Sequence, residues 1–145
     1  MSTPGPSRVE LFLDFRPLGQ GLHDPQYNPS VHQIFLPPLR DAEQKPVARV
    51  HTAGNYSESS QSLDGATIKA STVENNSYWV AYRVPWSKVQ AEGRPGEMIG
   101  FDVAVNGSNG NKKQPGTKSQ LILFGTTMNY RNASGFATAI LAKKK

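Results

Sequence analysis

The sequence predicts an all-β fold, an antiparallel β-sandwich of jelly-roll or immunoglobulin-like form, and three observations carry that prediction. Several short stretches alternate large apolar and polar residues with a period of two, which sends one set of side chains to one face of a strand. Turn formers are dense, with Gly 13 and Pro 11 among 145 residues. No stretch sustains the 3.6-residue apolar period of an amphipathic helix. With 37% hydrophobic residues, the length suits one compact domain that buries about two thirds of its unfolded surface. The expected organisation is a flexible lead over residues 1–7, a single sandwich domain over residues 8–142 and a basic tail over residues 143–145.

The lead is made of turn formers, with no packing residue beyond Met1. Val9, Leu11, Leu13 and Phe15 then alternate with Glu10, Phe12 and Asp14, a strand with apolar residues on both faces, as a central position requires. Pro17, Gly19, Gly21, Pro25 and Pro29 make residues 16–31 a loop, with His23 and Tyr27 set over a surface or lining a site. A strand returns at His32 and stops before Pro37, and another spans residues 47–52, carrying Arg49 and His51. Residues 54–65, rich in Ser, Asn and Gly, read as a mobile surface loop. Residues 66–74 alternate again, and Asn75-Asn76 turns them into the next strand as a hairpin.

That next stretch, residues 78–86, has the clearest period and the densest aromatic content. Tyr78, Val80, Tyr82, Val84 and Trp86 share the core face, while Trp79, Ala81 and Arg83 share the other. Pro85 cannot donate a ladder hydrogen bond and ends the strand, and Ser87 is placed to cap a short helical turn. After a Gly-Pro loop at 91–97, Ile99, Phe101, Val103 and Val105 mark a strand with Gly100, Asp102 and Ala104 opposite, followed by a turn-rich tip at 106–111. Residues 119–124 and 136–142 supply the last two, for about eight strands in all.

Composition excludes several functions. Cysteine is absent, which removes disulfides, thiolate nucleophiles and cysteine metal sites. The net charge is +5, but Lys143, Lys144 and Lys145 at the end supply three of those charges, a solvated tail and not a nucleic-acid patch. No apolar run approaches the roughly 18 to 20 residues that span a bilayer, and no secretory leader opens the chain, so neither membrane nor nucleic acid is an expected partner and the compartment stays open. His23, His32 and His51 lack partners at metal-ligand spacing, and no nucleophile elbow or paired glycosidase acids are present. The expectation is no enzyme, no catalytic residue and no metal site, with Asp14 and Asp102 tying strand ends and loops. Asn-x-Ser triplets begin at Asn55, Asn75, Asn106 and Asn132 and arise by chance in loops of this composition.

Four segments, in order, resemble the family 9 carbohydrate-binding module. Residues 9–14 are similar to its Val-Glu-aliphatic-Phe-aliphatic-Asp strand, and residues 82–86 to its apolar-Pro-Trp hallmark. Residues 99–106 resemble its Gly-Phe-Asp strand, and residues 124–129 with 135–141 its closing pair, a Trp-Ser/Thr-Gly motif and a terminal strand. The chain departs from the pattern at Phe124, where the family has Trp, at Ala81, and at Asn106, Ser108 and Asn109, where the family has acids. The resemblance implies a noncatalytic sandwich that binds a carbohydrate by aromatic stacking and hydrogen bonds, often outside the cell, with calcium in some members although the acidic positions here do not support it. Family members also carry strands ahead of the Val-Glu segment, so the sheet is expected to be completed by a preceding segment, by a rearranged stretch at residues 16–65 or, as the favoured expectation, by a partner chain or a second copy.

Stacking needs a flat ring against the C–H face of a pyranose, flanked by groups that bond its hydroxyls. On that chemistry the candidate ligand-binding residues are Trp79, Arg83, Phe124, Asn129, Tyr130 and Tyr27. Two other readings stand beside this one: a structural or assembly subunit that self-associates, and a haem-binding relative with Met98, Met128 or a His as axial ligand.

Overall fold

The computed structural model describes residues 8–36, 49–52, 61–62, 67–70, 80–108 and 117–143. The lead, Tyr56, the Asn75-Asn76 turn, Tyr78 and Trp79 lie outside them. The described strands are β1 (Arg8–Asp14), β2 (Val31–Leu36), β3 (Arg49–Thr52), β4 (Gln61–Ser62), β5 (Thr67–Ala70), β6 (Val80–Arg83), β7 (Met98–Ser108), β8 (Thr117–Ile122) and β9 (Ala137–Ile140). All described pairings are antiparallel. The main sheet runs β4-β3-β2-β1-β7-β8, with β9 also on β7, and β5 and β6 form a second, two-stranded sheet.

β1 has apolar residues on both faces because it is flanked on both sides, by β2 and by β7. β7 is the long spine: its first residues pair with β9 and its last with β8, and the register shifts between Gly107 and Ser108. In antiparallel pairs, residues opposite one another share a face. One face of the main sheet therefore collects Leu11, Leu13, Ile34, Leu36, Ile99 and Phe101. Leu13, Ile34, Leu36 and Ile99 are buried there with Val89, and Tyr82 and Val84 of the β6 region pack against them. This is the interior of the sandwich, with the second sheet as its other layer.

The other face carries Phe12, Val31 and Ala104, buried with Ala133 and Phe136 from the connection between β8 and β9. Phe12 and Phe136 meet at 5.7 Å between ring centroids, tilted by 46°. Full burial of Phe12, at 1% exposure, contributes about 1.5–3 kcal/mol. The sheet is thus covered on both sides, by strands on one and by loops on the other.

Three local expectations are corrected. The 54–65 loop contributes β4, a two-residue pairing with β3, because a strand edge beside β3 offers ladder partners that composition does not reveal. The short 3-10 turn covers Trp86–Val89 with Pro85 at its N-cap and no side-chain cap hydrogen bond, so Ser87 lies within the turn and does not cap it. Trp86, assigned to the core face, is 42% exposed; its ring meets Phe15 edge-on at 6.0 Å and lies over Gly93, where a Cβ would overlap the indole.

Candidate functional site

The β1–β7 pairing brings together residues ninety or more apart in sequence on the loop-covered face. Glu10 of β1 is 4% exposed. Its Oε1 accepts a hydrogen bond from Asn106 Nδ2 at 2.6 Å, and its Oε2 accepts one from Gln33 Nε2 at 2.9 Å. Gln33, Glu10 and Asn106 therefore run diagonally over β2, β1 and β7. Each amide gives its nitrogen to the carboxylate, so its carbonyl oxygen lies on the side away from Glu10. Both of those oxygens, Gln33 Oε1 and Asn106 Oδ1, are buried without a hydrogen-bond partner. A buried acceptor left unmade costs about 1–3 kcal/mol, and neither oxygen is open to a ligand from solvent.

Beside this diagonal, the connection from β8 to β9 is fixed by one carboxylate. Asp102, fully buried, accepts Val103 N at 2.7 Å and Phe124 N at 3.1 Å on Oδ1, and Gly125 N at 2.7 Å and Asn129 Nδ2 at 2.6 Å on Oδ2. Asn129 Oδ1 in turn accepts Thr126 N at 2.9 Å. Gly125 is required here: a Cβ would overlap Asn129 Oδ1 and sit 2.8 Å from Asp102 Oδ2. Leu123 N donates to Val103 O, which carries the ladder one step past β8 and sets Phe124 opposite Asp102 with its side chain 56% exposed.

At the far end of the same face, Asp14 is paired with Arg16, both buried, at 2.6 Å. The Arg16 guanidinium also donates to Gln26 O at 2.8 Å and Asp24 O at 2.9 Å, and His23 N donates to Asp14 Oδ2. This clamp holds the loop between β1 and β2 against the sheet, and the loop delivers Tyr27. Gly100 gives Asp14 its room, since a Cβ there would sit 2.7 Å from Asp14 Cβ. Behind the clamp, burial lowers the pKa of His32 below its ordinary 6.5, opposed by a hydrogen bond with the Val89 backbone and by the charge on Asp14. His32 is a neutral interior residue.

Four of the six candidate residues gather on this face. Tyr27 donates its hydroxyl to Asn129 O and meets Phe136 edge-on at 6.5 Å. Asn129 is buried, with both ends of its amide engaged by Asp102 and Thr126, so it shapes the loop. Tyr130 is half-buried against the Phe12 cluster, with the Arg131 guanidinium 5.5 Å from its ring centroid. Phe124 is the exposed ring of the group. Arg83 is elsewhere: it is exposed on β6, and its neighbour Tyr82 takes the inward face. Trp79 falls outside the described residues. Among the described residues no group of three or more His, Asp or Glu is placed to hold a metal ion.

Glu10, Gln33 and Asn106 were not among the sequence candidates. Their signal was a polar residue on a strand greasy on both faces, which is informative only once pairing shows it buried.

The family model for the carbohydrate family 9 binding domain-like group matches residues 8–144. No curated protein matches the chain. Among solved structures, a family 9 carbohydrate-binding module from Caldicellulosiruptor kristjanssonii in complex with cellotriose superposes with a TM-score of 0.63 at 18% identity, over 100% of this chain and 63% of that one. The chain thus spans less than two thirds of that neighbour's length, and the likeness is one of fold. With the family model covering nearly its whole length, the chain belongs to the carbohydrate family 9 binding domain-like family.

Proposed function

We propose that this protein is a noncatalytic carbohydrate-binding module whose sugar lies against the exposed Phe124 ring, at the turn that leads out of β8. One observation carries the reading: Phe124 holds a 56% exposed ring on a turn fixed by the buried Asp102 carboxylate, which accepts Phe124 N and Gly125 N. A ring so held offers the C–H contact that a pyranose face needs. Family membership and a neighbour crystallised with cellotriose support the class of ligand. The reading requires no cofactor and no reacting group.

Isothermal titration against cellotriose and a panel of other oligosaccharides tests it. Binding is expected with at least one, weakened by Phe124→Ala by about 1 kcal/mol or more without loss of thermal stability, because that ring is exposed. The absence of heat with every sugar, for protein that melts cooperatively, removes the proposal.

A second reading, a subunit that self-associates, rests on a different observation. Val105, Leu121 and Leu123 are 43%, 74% and 59% exposed and lie together at the β8 edge of the sheet, the kind of edge a second copy extends. Sedimentation velocity over a hundredfold dilution decides it: a single monomer boundary throughout, unchanged by Leu121→Lys, excludes this reading.

A further inference from the structure

We infer that Tyr27 is a positioning residue for the sugar site, one that acts on the sugar through the turn carrying Phe124; the inference rests on the carbohydrate reading above. It comes from the meeting of two loops at Tyr27 and Asn129, 102 residues apart in the chain. The backbone that presents Tyr27 is fixed at three successive carbonyls. Asp24 O and Gln26 O accept the Arg16 guanidinium at 2.9 and 2.8 Å, and Pro25 O between them accepts Ala133 N at 3.1 Å. The Tyr27 ring then lies edge-on to Phe136, itself buried against Phe12. With backbone and ring both held, packing selects one rotamer and delivers the hydroxyl to a defined point.

That point is Asn129 O, to which the hydroxyl donates. Asn129 closes the Phe124 turn: its N donates to Thr126 O at 2.9 Å, its Oδ1 accepts Thr126 N at 2.9 Å and its Nδ2 donates to Asp102 Oδ2 at 2.6 Å. Asp102 fixes the start of the turn through Phe124 N and Gly125 N. Tyr27 fixes its close, from the opposite loop. Because the Phe124 ring is exposed, little packing holds it, and its position is inherited from the backbone beneath it. A turn anchored on one carboxylate can pivot about that anchor. A second anchor on another element removes this freedom before the sugar arrives, and with it part of the ordering cost of binding.

Calorimetry with cellotriose and the same oligosaccharide panel tests this, together with amide exchange read by NMR in the free and the sugar-bound protein. Tyr27→Phe deletes the hydroxyl and keeps the ring that meets Phe136. It is expected to weaken binding about fivefold. In the free protein it should speed exchange of the Phe124, Gly125 and Thr126 amides by a similar factor while amides of β1 and β2 keep their rates, and bound sugar should restore the slow exchange. Ile34→Val, in the apolar interior on the other side of the sheet, lowers the melting temperature and is expected to leave both affinity and turn exchange unchanged. A Tyr27→Phe variant that binds as the native chain does, or whose three turn amides exchange at native rates, overturns the inference and leaves the carbohydrate reading standing. An equal loss of affinity in Ile34→Val also overturns it, since affinity would then follow stability alone. Failure of the native chain to bind any sugar removes both.

Discussion

Asp102 bonds three backbone amides and one side-chain amide, and this makes single positions around it intolerant of small changes. Gly125→Ala inserts a methyl group into Asn129 and Asp102, and the expected cost is about 1–3 kcal/mol in urea-denaturation stability, together with loss of sugar binding as the Phe124 turn shifts. Asp14 is equally exacting: Asp14→Ala strands the Arg16 guanidinium, only 5% exposed, and is expected to cost about 3–5 kcal/mol. His32 adds a pH dependence. Its folded pKa lies below 6.5 because burial disfavours the cation, so the unfolded chain takes up the proton first. Its stabilising contribution is therefore complete above about pH 6.5 and declines as the pH falls from there towards the folded value, by at most ~1.4 kcal/mol per pH unit. Urea titrations at pH 8, 7, 6 and 5.5 should show that decline in the native chain and a flatter profile in His32→Leu.

At the scale of the element, β1 explains both what could be read in advance and what could not. Its two-sided apolar pattern placed it in the middle of a sheet, and the β2 and β7 ladders on its flanks agree. Tyr82 and Val84 likewise pack inward while Ala81 and Arg83 are exposed, as a period of two dictates. Trp86 departs from that period because Pro85 ends the strand and the 3-10 turn starts a new geometry at the next residue. Of the residues gathered on the loop-covered face, the sequence singles out only those that stand outside the strands. Tyr27, Phe124, Asn129 and Tyr130 stand in loops, where an unusual residue is visible in the sequence. Glu10, Gln33 and Asn106 sit within strands, and their meeting depends on a register between distant segments that no local pattern encodes. Phe12→Ala, at the centre of β1 and against Phe136, should cost about 3–5 kcal/mol and loosen the connection from β8 to β9. Faster hydrogen exchange over residues 123–136 is the measurement that would register it.

Across the whole molecule, the main sheet divides its labour between its two sides. One carries an apolar interior against which Tyr82, Val84 and Val89 pack; the other is roofed by loops whose anchors are carboxylates, Asp14 for residues 16–30 and Asp102 for residues 123–129. Loops fastened by buried ions hold one shape, which lowers the ordering cost of receiving a ligand. The consequence is that sugar binding should leave the hydrogen-exchange protection of residues 16–30 nearly unchanged, whereas a large gain in protection there would indicate a roof that assembles on binding.

The position of β1 has a kinetic corollary. Glu10 and Asn106 are 96 residues apart, so during synthesis β1 waits for one of its two neighbours until β7 has been made. Nascent chains halted before Met98 would carry an open ladder edge along β1, vulnerable to proteases and attractive to chaperones. Refolding of the finished chain should be correspondingly unhurried, on the order of milliseconds to seconds, as topologies dominated by distant pairings are.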